Sequence, residues 1–405
     1  MDATGPKAPV RELNMVEAVC LVAGAGIGGG VMAVPYLAAR TGFLPALLIM
    51  LGAYAITVVL HIMVAELSIR TGYSSELLTV FTKHLFRGRR FLRGAFYVLM
   101  AITLACNLAA YITGAGEILA NLLGLHTALA ETIFFVFAAL VVFLGLKRVA
   151  VNEVFALAAM LVFLATLVVR SFALPSHGPL GPALWEPSPV LAVYGLAMFS
   201  LSSLFAVPQA ASGLRGAKHL LPLAVALGLF FNLAVMAVIT LCALLCSDPV
   251  TEVAIVGWTA SLGGPTRIFG SLFIVLAMLG TFWSISLQLS DMTKEYFRAG
   301  RAFSWLAATA PSFLLALLPA SGFLALMQIA GGGTAVVVAC MAVPAYRIAV
   351  RGTGGLRPGP DRLLLGPDKL LPELDRLLLG PLGKSRLLCG AIIAMYLLMA
   401  VASFA

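Results

Sequence analysis

The sequence predicts an all-α membrane protein with about eleven transmembrane helices, in a 5+5 inverted repeat with discontinuous helices 1 and 6 plus one extra helix. Three observations predict this fold. Of the 405 residues, 61% are hydrophobic and 11% are charged, and the mean hydropathy is +1.04, which excludes a soluble domain of this length. Apolar blocks long enough to cross a bilayer follow one another along the chain. A short motif recurs five blocks apart.

The apolar blocks define the spans, because each crossing needs about 20 apolar residues. They lie at residues 15–40, 43–69, 94–122, 128–146, 150–172, 190–214, 219–246, 267–293, 303–319, 322–346 and 386–405. This pattern divides the chain into a cytoplasmic N-terminus (1–14), a first five-helix repeat (15–172), a second five-helix repeat (190–346), a cytoplasmic connector (351–385) and a final helix (386–405).

The first span contains the most informative segment, Gly24 to Pro35, with the sequence G-A-G-I-G-G-G-V-M-A-V-P. Its successive glycines Gly28 to Gly30 disfavour an unbroken helix, at roughly 1 kcal/mol each relative to alanine. Because lipid cannot satisfy irregular backbone, such a break survives only inside protein or beside a wet cavity. The segment predicts an interrupted helix like those with which secondary carriers bind small solutes. The alternative is close helix packing through small residues.

The sixth span contains a second copy of part of this segment. The motif A-V-P-x-x-A at residues 33–38 recurs at residues 206–211. The second copy follows Ser200-Leu201-Ser202-Ser203, whose hydroxyls can bond freed backbone groups. Equivalent positions are five spans apart, and an odd number of spans inverts the topology. The recurrence therefore predicts inverted repeats whose interrupted first helices cross at the centre.

Basic residues indicate the orientation of the chain in the membrane. If the N-terminus is cytoplasmic, all but three of the 26 Lys and Arg lie on the cytoplasmic side of the membrane. The three on the opposite side are Arg40, Arg170 and Arg267. The positive-inside rule then predicts that the N-terminus is cytoplasmic and the C-terminus is outside. We expect the protein to lie in the cytoplasmic (inner) membrane. The same distribution explains the formal charge of +9 without a nucleic acid partner.

The predicted spans offer no arrangement typical of covalent chemistry. They lack paired carboxylates and any nucleophile with a nearby base, so we expect no enzymatic activity and no cofactor. Cys242 and Cys246 share a helix face, but no histidine stands nearby to complete a metal-ligand set. We therefore expect neither a metal site nor disulfides.

Polar groups and exposed backbone in spans 1, 3, 6 and 8 predict a site for a small uncharged or zwitterionic solute. The half-helix after the glycines would direct its N–H groups at a carboxylate. The predicted substrate-binding residues are Ala25, Gly26, Gly28, Gly29, Asn107, Tyr111, Phe199, Ser202, Ser203 and Phe205.

The predicted ion-coupling residues are Glu66, Thr281 and Ser284, and the ion is H⁺ or Na⁺. Glu66 lies deep in span 2, where an ionisable side chain is costly and therefore a candidate for function. It can accept a transported proton, or it can pair with Arg70 one helical turn later. The sequence leaves both alternatives open.

Four segments resemble the aromatic and hydrophobic amino acid permeases, the tyrosine/tryptophan permease family within the amino acid/auxin permease group. They are the run from Gly24 to Pro35, Glu66 at the end of span 2, Ala110 to Gly116 (A-Y-I-T-G-A-G) and Thr281 to Asp291. The resemblance implies a LeuT-type fold and proton-driven uptake of an amino acid. Residues 201–204, L-S-S-L, depart from the family's F-G-F-H. This departure leaves room for a smaller apolar amino acid or another solute.

Together these observations predict a secondary active transporter that imports an aromatic or other hydrophobic or neutral amino acid by ion-coupled symport, with the proton as the favoured ion. Its partners would be the amino acid, the coupling ion and the lipid bilayer. The alternatives are a sodium-coupled carrier of another small solute and an uncoupled channel or sensor on the same scaffold.

Overall fold

A computed structural model of the protein describes residues 13–72, 77–86, 89–144, 146–173, 180, 184–318, 322–351 and 385–402. Within these ranges every regular element is a helix. The predicted connector at 351–385 lies outside the described residues except for its two ends. The N-terminal residues 1–12 and the C-terminal residues 403–405 lie outside them as well.

The helices follow the predicted apolar blocks closely. They are α1 (Met15–Gly26), α2 (Gly29–Thr41), α3 (Phe43–Arg70), α4 (Leu77–Phe81), α5 (Arg90–Leu123), α6 (Thr127–Leu144), α7 (Leu146–Phe172), α8 (Pro187–Ser200), α9 (Ala206–Gly213), α10 (Leu221–Cys246), α11 (Ala254–Leu262), α12 (Thr266–Phe297), α13 (Arg301–Ala316), α14 (Phe323–Val337), α15 (Val343–Arg351) and α16 (Arg386–Ala402). Two short helices, α4 and α11, lie between predicted blocks.

In the described part of the chain, seven helices are long and apolar enough to cross a membrane. The number is up to eight if α1 and α2, which are bent by 53°, form one broken span. The helices α8 and α16 are apolar but shorter. The fold is thus all-helical with many membrane spans, and the count of about eleven spans stays a prediction.

Both predicted helix interruptions are present. The first lies between Gly26 and Gly29, where Gly28 is extended, with φ −135° and ψ −155°. The second lies between Ser200 and Ala206. Glycine loses much conformational freedom in a helix, and serine hydroxyls compete for the hydrogen bonds of the backbone. Glycine at the first break and serine near the second therefore explain why the helices end there.

Helices at equivalent positions in the two halves of the chain make equivalent contacts. The first broken span, α1 and α2, packs against α10, and the second, α8 and α9, packs in the equivalent way against α3. Likewise α5 packs against α14, and α12 packs against α7. The two broken spans also contact each other, α1 with α9 and α2 with α8. This symmetry supports two five-helix repeats of opposite orientation.

The long helices α5 and α12 form the centre of the bundle. In their most apolar windows 67% and 72% of the residues are buried, against 33% to 39% in α3, α6 and α7. The exposed side chains of the outer helices are apolar, for example Phe137, Leu140 and Val162. An outer surface of this kind suits lipid, and the central helices can carry polar side chains that lipid does not contact.

Candidate functional site

The two helix interruptions meet at the centre of the bundle and enclose a cavity. Its volume is about 30 Å³, which leaves room for at most a few water molecules. The lining comes from both broken spans and from α5, α12 and α14. The lining residues are Ala25, Gly26, Gly28, Gly30, Asn107, Tyr111, Phe199, Ser200, Ser202, Ser203, Phe205, Ser284, Ile285 and Thr334.

Four helix ends converge on this cavity. The helices α1 and α8 end there with their carbonyl groups, and α2 and α9 begin there with their N–H groups. The first N–H groups of a helix lack partners within the helix and form the positive end of its dipole. Gly28 and Gly30, at the start of α2, both line the cavity. Main-chain donors and acceptors of both broken spans therefore lie close to the cavity.

Side chains of neighbouring elements satisfy the carbonyl groups of the broken spans. Ser203 Oγ donates to Val22 O at 2.7 Å, and Asn232 Nδ2 donates to Ser200 O at 2.7 Å. Thr281 Oγ1 lies 3.1 Å from Ile27 O and 3.0 Å from Ala277 O. Since unpaired carbonyls at this depth are costly, these bonds stabilise the unwound backbone.

The interrupted backbone also requires glycine, because neighbouring side chains leave no space for a β-carbon. A β-carbon on Gly28 would lie 2.8 Å from Tyr111 Oη and 2.9 Å from Thr281 Oγ1. A β-carbon on Gly26 would lie 2.9 Å from Ser203 Oγ and would also contact Asn232. At both positions a larger residue has to displace a polar side chain that belongs to the cavity wall. The glycines thus serve close packing as well as the break itself.

Two polar atoms of the cavity wall have no partner among the described residues. Asn107 Oδ1 and Ser202 Oγ are buried, and neither makes a hydrogen bond. Nearly all buried polar groups in proteins are paired, so an unpaired group at a cavity indicates a place where a water or a ligand completes the bonding. The Tyr111 hydroxyl lies between Asn107, the Gly29 backbone and Thr281. Polar groups therefore border the cavity on several sides.

The structure brings most of the predicted site residues together. Nine of the ten predicted substrate-binding residues line the cavity, all except Gly29, which packs against Phe323. Ser284 lines it too, and Thr281 lies behind it against Gly28. Their roles in binding and coupling stay predictions. Sequence reasoning missed four lining residues, which are Gly30, Ser200, Ile285 and Thr334.

Glu66 is not among the lining residues. Its Oε1 forms an ion pair with Arg70 Nη2 at 2.5 Å, and its Oε2 accepts a hydrogen bond from Tyr346 Oη at 2.8 Å. The side chains of Glu66 and Arg70 are only 3% and 7% exposed. Of the two alternatives that the sequence left open, these contacts favour pairing with Arg70.

Glu153, on α7, is a buried carboxyl group that sequence reasoning missed. It is 4% exposed, and Ser284 Oγ donates a hydrogen bond to its Oε1. Its Oε2 is buried without a partner among the described residues. The available signal was an acidic residue inside the apolar block 150–172. Glu153 thus does not line the cavity itself but contacts the lining residue Ser284.

A second pocket, of about 190 Å³, lies next to the cavity and shares Phe199 with it. Its lining includes Arg40, Tyr36 and Gln328. Arg40 stands at the end of α2 that the charge distribution predicts to be outside. Phe199 therefore separates the central cavity from a pocket at the predicted outer side.

A multi-span helical protein whose two broken helices surround a central polar cavity has the architecture of a membrane transporter. Residues 11–177, which contain α1 to α7, match the family model of the tryptophan/tyrosine permease family. The resemblance carried by the sequence motifs is confirmed over these residues. The match over residues 11–177 and the fold point to a transporter rather than an enzyme, and to a multi-pass membrane protein.

The whole chain is similar in structure to the manganese transporter of Eremococcus coleocola. Crystal structures of two mutants of that transporter each match with a TM-score of 0.65 and 14% identity, covering 100% of this chain and 90% of that chain. A third structure, in complex with an aromatic bis-isothiourea substituted compound, has a TM-score of 0.62 and 14% identity, covering 100% and 98%. At this identity the likeness shows the fold alone. No curated protein matches the chain in sequence.

Proposed function

We propose that the protein is a secondary active transporter that imports a neutral amino acid across the cytoplasmic membrane by ion-coupled symport. The observation that supports it is the convergence, at one cavity, of the α2 N-terminus with the unpaired Asn107 Oδ1 and Ser202 Oγ. The positive end of the α2 dipole complements a carboxylate, and an unpaired carbonyl oxygen complements an ammonium group. These are the two charged groups that every amino acid presents.

The small volume of the cavity fits an alternating-access mechanism. A cavity of about 30 Å³ holds at most a few water molecules, so we infer that an amino acid enters only when the surrounding helices move apart. Phe199 stands between this cavity and the outer pocket. We infer that the structure represents a closed state and that displacement of Phe199 opens the outer route. Phe199 and Phe205 would then contact an apolar substrate side chain.

The lining residues speak against a metal ion as the substrate. The similar transporter structures are of a manganese transporter, but the cavity lining here has no carboxylate, imidazole or thioether. Carboxylate and imidazole groups are usual ligands of divalent transition-metal ions, and carbonyl and hydroxyl oxygens alone provide no negative charge to balance the cation. Across the described ranges, no cluster of three or more His, Cys, Asp or Glu side chains is placed to hold a metal. An amino acid therefore suits this cavity better than a cation.

Transport in proteoliposomes tests the proposal. The purified protein is reconstituted, and uptake of tritiated common amino acids is measured under an imposed pH gradient, an imposed sodium gradient, or neither. We expect accumulation above the equilibrium level under the pH gradient. A channel only equilibrates its solute, so equilibration without accumulation favours the channel alternative. Accumulation under the sodium gradient alone assigns sodium as the coupling ion. No uptake of any amino acid contradicts the proposal.

A first prediction concerns the unpaired hydroxyl in the cavity. We expect Ser202→Ala to raise the KM for the transported amino acid about tenfold, because it removes one hydrogen bond to the substrate worth about 1.4 kcal/mol. Its melting temperature should stay unchanged, since Ser202 Oγ has no partner among the described residues. The matched variant Ser203→Ala should lower the melting temperature, because Ser203 Oγ bonds Val22 O. Equal KM values for Ser202→Ala and wild type contradict the assignment.

A second prediction concerns Glu66. Both of its oxygens are engaged, by Arg70 and Tyr346, and it lies outside the cavity wall. We therefore expect Glu66→Gln to lower thermal stability while uptake keeps its dependence on pH. The measurement is initial uptake rate from acidic to neutral pH together with a thermal unfolding curve. A flattened pH profile would instead assign the proton to Glu66, the other alternative from the sequence.

A further inference from the structure

Glu153 is a second buried acidic side chain. It lies beside the cavity, whereas Glu66 is paired with Arg70 and is not a lining residue. One of its carboxyl oxygens is bonded to Ser284, a lining residue, and the other has no partner among the described residues. Burying an ionised carboxylate at membrane depth without a cation costs several kcal/mol. The arrangement therefore favours a neutral, protonated Glu153 in this closed state and makes its charge depend on access to water.

The helices packed against α7 offer no cation to Glu153 among the described side chains, since no ion pair involves it. The titratable groups described on those helices are Glu17 and Cys20 on α1, Glu131 on α6, Cys242 and Cys246 on α10, and Arg267, Asp291, Lys294, Glu295 and Tyr296 on α12. Of these, Cys20 interacts electrostatically with Glu153. A carboxyl group without a fixed counter-charge is free to exchange a proton.

The position of Glu153 fits a route to the cytoplasm. It lies about two helical turns from the start of α7 at Leu146, which the charge distribution places on the cytoplasmic side. Ser284 connects it to the cavity that the substrate would occupy. Glu153 therefore contacts the wall of the proposed substrate site and also lies near the cytoplasmic end of α7, so its protonation can respond to both.

We propose that Glu153 binds the coupling proton and that its hydrogen bond with Ser284 links protonation to occupation of the cavity. This inference rests on the proposed function. In the outward-open state a proton from the outer solution adds to the Glu153 carboxylate, and the neutral pair with Ser284 closes around the substrate. In the inward-open state water reaches the carboxyl group, and the same proton leaves to the cytoplasm. No other bond forms or breaks.

The test compares Glu153→Gln with wild type in proteoliposomes that contain a pH-sensitive dye. Glutamine has the shape of the protonated carboxyl group but carries no exchangeable charge state. We expect exchange of tritiated amino acid between the two sides to stay within about threefold of wild type, since exchange needs no net proton movement. Accumulation driven by a pH gradient should fall at least tenfold, and addition of amino acid should no longer acidify the lumen.

The control is Glu131→Gln, which neutralises another buried carboxyl group, on α6, that lies outside the cavity wall. It should accumulate amino acid and acidify the lumen as wild type does. Wild-type coupling in Glu153→Gln overturns the inference about Glu153 while leaving the proposed function intact. Failure of the wild-type protein to accumulate any amino acid overturns the proposed function, and the inference falls with it.

A second variant keeps the test decisive if Glu153→Gln is not recovered as a monodisperse protein. Ser284→Ala removes the one hydrogen-bond partner that the described residues provide to Glu153. We expect coupled uptake to continue with its pH profile displaced, because the Glu153 carboxylate loses the hydrogen bond that stabilises its charged form. An unchanged pH profile in Ser284→Ala overturns the link between the proton and the cavity.

Discussion

Uptake by the Gly28→Leu variant should be undetectable, a loss of at least a hundredfold, although the protein still inserts into the membrane. A β-carbon at this position already lies within 3.0 Å of Tyr111 Oη and Thr281 Oγ1. A leucine side chain therefore fills the cavity, which has room for at most a few water molecules, and displaces both hydroxyls. Initial uptake rates in proteoliposomes, with insertion checked by size-exclusion chromatography, measure the effect.

Gly24 provides a matched control on the same broken span. A β-carbon there has no neighbour within 4 Å, and alanine favours helix over glycine by about 1 kcal/mol. We expect Gly24→Ala to keep at least half of the wild-type uptake, and Gly28→Ala to lose most of it. Normal uptake by Gly28→Leu would remove the proposal that the substrate is recognised at this break.

Arg70→Met should destabilise the protein by about 3–5 kcal/mol, the usual cost of leaving one member of a buried ion pair without its partner. The side chains of Arg70 and Glu66 are both buried, and after the substitution Glu66 keeps the hydrogen bond from Tyr346 but loses the ion pair. Methionine preserves most of the volume of the side chain, so the lost charge dominates. The free energy of unfolding is measured by titration from a mild detergent into a denaturing one.

The pair Arg93–Glu295 supplies the control for this prediction. Its distance is 3.3 Å, but its side chains are 31% and 27% exposed. Partly exposed pairs contribute only about 0–1 kcal/mol, so Arg93→Met should change the free energy of unfolding far less than Arg70→Met. Equal effects of the two substitutions would mean that burial does not determine the strength of the Glu66–Arg70 pair.

Much of the fold could be predicted because it depends on local patterns. Apolar block length gave the helix positions, the glycines at 28–30 gave the first break, and the motif at 206–211 gave the second break. Both breaks follow from backbone preferences that single residues express. The short helices α4 and α11 were missed, since neither is long enough to give a span-length apolar signal.

The site was predicted only as far as the broken spans determine it. Ser202 and Asn107 stood out because they are polar residues within apolar blocks. Thr334 on α14 was missed, because nothing local shows that this helix turns one face to the cavity. The pairing of Glu153 with Ser284 joins residues 131 positions apart, and a single sequence contains no signal for such a contact.

The narrowness of the cavity has a consequence for an energised membrane. The cavity between the described helices has room for at most a few water molecules, and Phe199 borders both this cavity and the outer pocket. In the proposed closed state we therefore expect little passive leak of protons and other ions down the membrane potential. A membrane could then hold many copies of the proposed transporter without dissipating the gradient that would drive its solute uptake.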